Sequence, residues 1–157
     1  MTADEDFMRQ AIAASRHGMA GGAGGPFGAV VVLDGRVVAE GWNQVTSTND
    51  PTAHAEMVAI RRACAALGRF DLRGATVYTS CEPCPMCLAA LYWSRCDAVF
   101  YAADRFQAAA IGFDDAFLYT EIPKPIEARN LPMRRLLQAE ALEVFADWAA
   151  KADRVAY

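Results

Sequence analysis

The chain has 157 residues, 54% of them hydrophobic and 22% charged, which suits one globular domain large enough to bury a core. Its formal net charge of -4 and pI of about 5.1 argue against a phosphate-gripping surface, and nucleic acid is not expected as a partner. No apolar run approaches the ~20 residues of a membrane span, and the acidic start Met1-Thr-Ala-Asp-Glu-Asp6 is not followed by the apolar core of a secretory signal, so a cytoplasmic location is expected.

The first element is an amphipathic helix over residues 4–17, with Phe7, Met8, Ala11, Ile12 and Ala14 on its apolar face. Residues 18–25 contain five glycines and read as a flexible segment. Strands at 29–33 and 36–39 flank Asp34-Gly35, a favoured two-residue hairpin turn. A second helix is expected over 52–67, with Asp50 as N-cap, Pro51 at the first helical position and Gly68 as terminator. A strand at 75–79, a helix from Pro83 to Ser94 and a strand at 97–101 follow. Beyond Asp104 the pattern turns helical, with breaks at Gly112 and at Pro123, Pro125 and Pro132. A last amphipathic helix covers 134–150, with Leu136, Leu137, Leu142, Val144, Phe145 and Trp148 on its apolar side. Helices between strands predict an α/β layered sandwich, with parallel pairing of the strands joined by the later crossover.

The chain holds five cysteines, an odd number. Clustered in a reducing compartment, they point to metal binding or catalysis rather than a disulfide framework. His54-Ala-Glu56 and Pro83-Cys84-Pro-Met-Cys87 together form the H-x-E…P-C-x-x-C pattern of zinc-dependent nucleobase deaminases. A catalytic zinc takes three protein ligands and leaves one position for water, whose pKa it lowers to give a hydroxide nucleophile. His54, Cys84 and Cys87 are the expected ligands, with Zn2+ at one per chain. Both motifs fall at predicted helix starts, where the local potential favours thiolate. Glu56 is the expected acid/base, moving protons from the attacking water to the ring and the departing amine. Residues two apart point to opposite sides of a mid-helix, so His54 and Glu56 cooperate only if the helix end faces the metal. Cys81 and Cys84 are also spaced C-x-x-C, which leaves Cys81 as a rival ligand. Cys64 and Cys96 read as ordinary buried cysteines, and His17 as a helix-end residue without a metal role.

On these residues the chain resembles the cytidine-deaminase-like superfamily, and within it the bacterial guanine deaminases. The resemblance also runs through Gly25-Pro-Phe-Gly-Ala-Val30, Asn49-Asp-Pro-Thr-Ala-His-Ala-Glu56, Val99-Phe-Tyr-Ala102, Gly112-Phe-Asp-Asp115 and the terminal Tyr157. It implies a three-layer α/β/α sandwich on a mixed sheet of about five strands, and hydrolysis of guanine to xanthine and ammonia, a step of purine catabolism or salvage. It further implies that Asn43 binds the base edge and that Asp115 accepts hydrogen bonds from the base, with Asp114 as its adjacent rival. Phe27 and Trp93 would stack on the purine, and the Ala55 backbone N–H would lie near the metal. The whole chain, 1–157, would form one deaminase domain, and its segment 122–157 would cross to the partner of a homodimer so that Tyr157 closes the neighbouring site. The proline-rich stretch 122–132 is a physically reasonable hinge for such exchange.

Other readings are a deaminase of guanosine, cytosine, a triazine or tRNA adenosine, and a structural zinc module with Cys81 as fourth ligand. A thiol redox protein using Cys84 and Cys87 would leave His54 and Glu56 without a task.

Overall fold

Helix α1 (Ala3–Ala20) opens on a capping box, in which Thr2 Oγ1 accepts from Glu5 N–H and the Glu5 carboxylate accepts from Thr2 N–H. The computed structural model describes residues 2–157. Strands β1 (Gly28–Leu33) and β2 (Arg36–Trp42) form the expected hairpin. Its turn residues have φ of 50° at Asp34 and 71° at Gly35, the doubly left-handed turn that matches strand twist. Strand β3 (Ala75–Cys81) pairs antiparallel with the other edge of β1, and β4 (Ala98–Ala103) pairs parallel with β3.

Among the described residues the sheet order is therefore β2-β1-β3-β4, four strands where about five were expected. The reason lies just past β4. Asp104 and Gln107 form a second capping box that starts helix α5 (Arg105–Ala110) at once, so the chain leaves the sheet before another strand can form.

Alternation along β1 sends Ala29 and Val31 to one face and Val30 and Val32 to the other. The first pair packs with Val77 against helix α3 (Ala55–Leu67) and with Leu91 of helix α4 (Pro85–Ser94). The second pair packs with Tyr78 against Phe7, Met8 and Ala11 of α1. These are the three layers of the predicted sandwich. The α3 layer sits very close to the sheet: a Cβ on Gly41 of β2 would lie 2.5 Å from the Ala55 carbonyl oxygen.

Two helix starts differ from expectation. The second long helix begins at Ala55 rather than near residue 52, because the Asp50 carboxylate accepts from Thr52 N–H at 2.8 Å and Thr52 Oγ1 at 2.7 Å and forms a local turn instead of a cap. A four-residue helix, α2 (Val45–Thr48), was not anticipated. The last long helix, α7 (Gln138–Ala150), starts after a left-handed Leu137.

The described residues divide into two compact units, the first reaching to Asp115 and the second Ala116–Tyr157. The second holds helix α6 (Ala116–Glu121), a 3-10 turn at Ile126–Ala128 and α7. Its proline-rich stretch is stapled internally. Glu121 accepts from Asn130 N–H at 2.7 Å and pairs with Lys124, while the Arg129 guanidinium donates to the Lys124 and Ile122 carbonyls. Among the described residues no helix is long and apolar enough to cross a membrane.

Candidate active site

The residues predicted to bind metal stand at the N-terminal ends of two helices on one face of the sheet, His54 and Cys84 as caps and Cys87 in the first turn of α4. His54 is the N-cap of α3, with an extended backbone at φ -67° and ψ 157°. Cys84 is the N-cap of α4, also extended, with Pro85 at the first helical position. Because His54 precedes the helix while Glu56 lies in its first turn, the two are not constrained to opposite helix faces. Both helix starts add positive potential at the cluster.

The His54 Nδ1 lies 3.5 Å from the Cys84 Sγ and 3.5 Å from the Cys87 Sγ. All three donor atoms fall within 4.8 Å of one another. Zinc bonds of about 2.3 Å to sulfur and about 2.0 Å to nitrogen, set at a tetrahedral angle, place those donors about 3.5 Å apart. The donor set and its spacing therefore fit zinc. Cys87 is buried, whereas His54 and Cys84 are half-buried.

A hydrogen bond from the Cys87 thiol, joined by one with His54, holds Cys84 below the usual thiol range. Cys87, on the giving side of that bond, is held above the usual thiol range. The Cys84 sulfur in turn raises His54. Protons and a metal compete for these same lone pairs, so metal binding releases protons here.

Cys81 stands apart from the donor cluster. Its thiol donates to the Asp104 carbonyl at 3.8 Å, and burial, followed by the charges of Glu56, Glu82 and Asp115, pushes it up to about 11. A thiol kept protonated is a poor zinc ligand.

Glu56 is 6% exposed. Burial raises its carboxyl above the ordinary range, offset in part by its own backbone N–H and by Thr79. Thr79 Oγ1 donates to Glu56 Oε1 at 2.9 Å. Thr79 lies outside the spacing of the His54-x-Glu56 and Cys84-x-x-Cys87 motifs. The available signal was a hydroxyl on the strand face otherwise occupied by Ala75, Val77 and Cys81. Ala55 is fully buried at the first position of α3.

Asn43 is also buried. Its Oδ1 accepts from Gly25 N–H and Val45 N–H, each at 3.2 Å. That double acceptance fixes which end of the amide is oxygen. The following residue, Gln44, donates its N–H to the Ala53 carbonyl, which ties this loop to the approach to His54. Phe27 packs edge-on against Phe113, with ring centroids 4.8 Å apart. This contact brings the segment 112–115 to the end of the hairpin. Phe113 likewise lies outside those two motifs.

Asp115 is half-buried and Asp114 exposed. Burial raises the Asp115 carboxyl, and the nearby Cys84 and Glu82 charges add to the shift. Glu82 Oε2 accepts from Arg105 N–H at 3.0 Å, linking the end of β3 to α5. Trp93 lies on the last turn of α4, 62% exposed, beside the Arg95 guanidinium; the metal cluster is at the other end of that helix. Tyr157 is exposed in the second unit. His17 packs edge-on against Trp42, outside the donor cluster.

The family model of the cytidine and deoxycytidylate deaminase zinc-binding region matches residues 1–103. The chain belongs to this family of zinc-binding deaminases. It is 52% identical to a guanine deaminase of Bacillus subtilis (strain 168) over 153 residues, covering 98% of each chain. The X-ray structure of guanine deaminase from Bacillus subtilis superposes with a TM-score of 0.95, at 52% identity and 98% coverage of both chains. A tRNA-specific adenosine deaminase of Agrobacterium fabrum is 48% identical over 86 residues, which is 55% of this chain and 57% of that protein. Likeness to the guanine deaminase thus spans both units, whereas likeness to this tRNA enzyme is confined to about half of the chain.

Proposed function

We infer that this chain hydrolyses guanine to xanthine and ammonia. The observation that carries the reading is full-length likeness to a guanine deaminase combined with a zinc-type donor cluster beside a buried glutamate.

When bound by His54, Cys84 and Cys87, zinc supplies Lewis acidity that makes water nucleophilic near neutral pH. The rest falls to the chain. Glu56 accepts one proton from the attacking water and delivers it to the ring nitrogen beside C2. The water's second proton passes through the same carboxylate to the departing amine. Burial suits the carboxyl to both tasks, because it narrows the gap between its pKa and that of the groups it serves. The raised pKa supports this role.

Asn43 is oriented by its oxygen. With Oδ1 held by two backbone N–H groups, Nδ2 is the end available to donate to a base carbonyl. Asp115, half-buried near the cluster, accepts from guanine N–H groups; its exposed neighbour Asp114 is less suited, because an exposed carboxylate competes with water. The Ala55 N–H, at the open end of α3, contributes a backbone donor. Phe27 and Phe113 flank the ring as an aromatic corner. Trp93 and the adjacent Tyr92, 62% and 73% exposed, suit a surface covered by a second copy better than a base platform.

The chain pairs as a homodimer with exchange of residues 122–157. No residue of α7 is buried, although it carries Leu142, Phe145 and Trp148. A helix with that apolar content needs a partner surface. The exchanged tail then brings Tyr157 to the neighbouring site. Five free thiols suit the reducing cytoplasm as the place of action.

The test is ultraviolet monitoring of guanine, guanosine, adenine, cytosine and cytidine in parallel. Guanine alone should turn over. Turnover of another base with guanine inert would overturn the substrate and keep the chemistry. Deleting Tyr157 should depress guanine turnover; an unchanged rate would remove the tail from the site.

A further inference from the structure

We propose that Thr79 is a positioning residue for proton transfer: its hydroxyl occupies Oε1 of Glu56, so that Oε2 is the oxygen that takes and returns the proton. The inference rests on Glu56 as the proton carrier.

Thr79 is 1% exposed and sits on β3, in the middle layer of the fold. Its Oγ1 has two acceptors within reach, Glu56 Oε1 at 2.9 Å and the Cys81 carbonyl at 3.1 Å. A hydroxyl carries one proton. The Cys81 carbonyl alone would satisfy it, so Thr79 has no need of Glu56 for its own burial. Glu56 has the greater need. The terminal torsion of a glutamate is broad and roughly two-fold, so a carboxylate without an anchor exchanges its oxygens. The carboxylate also receives its own backbone N–H and the Cys87 thiol; Thr79 is the donor among these that is fixed to a central strand, and it holds Oε1. Of the two acceptors Glu56 Oε1 is the nearer, at 2.9 Å against 3.1 Å for the Cys81 carbonyl, which directs the hydroxyl proton toward Oε1.

The anchor lies outside the metal-binding residues. Its loss should therefore act on the chemical step without releasing metal or weakening substrate binding. Thr79→Val keeps the branched shape and the strand preference while removing the hydroxyl. Losing a hydrogen bond to a charged group predicts a fall in kcat of about ten- to a hundred-fold. The KM for guanine should change by less than about threefold, and zinc content by atomic absorption should match the unsubstituted protein. Thr79→Ser restores the hydroxyl and should recover kcat to within about threefold. Should Thr79→Val not accumulate, Thr79→Ala against Thr79→Ser makes the same comparison.

An unchanged kcat in Thr79→Val overturns the proposal. So does equal loss in the Val and Ser variants, or loss that follows zinc release, since each marks a packing role. Glu56→Gln is measured alongside. If it turns guanine over, the proton-carrier reading itself fails; if it is inactive while Thr79→Val is unaffected, only the role of Thr79 fails.

Discussion

Gly41 is the position where a single methyl group should disable the site without touching it. A Cβ there would meet the Ala55 carbonyl oxygen at 2.5 Å and the Ala59 nitrogen at 2.6 Å, both backbone atoms of α3. Neither can rotate away. Restoring an ordinary contact of 3.4 Å requires the first turn of α3 to move out by about 1 Å. That turn carries Glu56 and follows directly on His54, so the shift opens the 2.9 Å contact to Thr79 and drags the imidazole from the two sulfurs. Overpacking of this kind costs about 1–3 kcal/mol, or roughly 2–12 °C in thermal midpoint for a chain of this size. Misplacing a catalytic group by about 1 Å costs on the order of a hundred-fold in rate.

Gly35→Ala is the matched control. Gly35 has φ +71° and nothing within 4 Å of an added Cβ, so alanine there suffers backbone strain of about 1–2 kcal/mol and displaces no neighbour. Guanine turnover and differential scanning calorimetry on both variants give the comparison. Gly41→Ala should lose stability and about a hundred-fold in kcat; Gly35→Ala should lose stability alone. A Gly41→Ala enzyme with kcat within about threefold of the parent, or a Gly35→Ala enzyme equally impaired, would refute the reasoning.

Three further outcomes are expected. Cys84→Ala and Cys87→Ala should lose zinc, while Cys81→Ala should retain about one zinc per chain by mass spectrometry; the reverse pattern would make Cys81 a ligand. Asn43→Asp keeps acceptors for Gly25 and Val45 but removes the Nδ2 donor, so guanine kcat/KM should fall at least about tenfold with zinc content retained; a kcat/KM within about threefold of the parent's would remove Asn43 from base recognition. Burial, then the hydrogen bond to Asp4, pushes the Tyr78 hydroxyl up to about 12 from an ordinary 10.0. A tyrosine raised in the folded chain makes its full contribution below its unfolded value and loses it as pH rises through the folded one. Urea midpoints should therefore decline from about pH 10 upward in the parent and less so in Tyr78→Phe; superimposable alkaline limbs would contradict this.

The sequence by itself determined the class of chemistry, because zinc chemistry demands particular donor atoms and the chain places His54, Glu56, Cys84 and Cys87 in a spacing with few other uses. It also determined features governed by one or two neighbouring residues, such as the Asp34-Gly35 turn and the left-handed Gly68 after α3. Two boundaries turned on which of several short-range partners a side chain took: Asp50 bonded Thr52, two positions on, so α3 starts at Ala55 with His54 as its cap, and Asp104 bonded Gln107, three positions on, and opened α5, so the sheet ends at β4. Tertiary structure decided what depends on distant contacts. Cys81 fell outside the donor cluster because its thiol reaches the Asp104 carbonyl, 23 positions along the chain. Thr79 met Glu56 across an equal separation in sequence. No local pattern encodes such pairings, since they arise only when a strand and a helix stack and bury polar groups that must then satisfy one another.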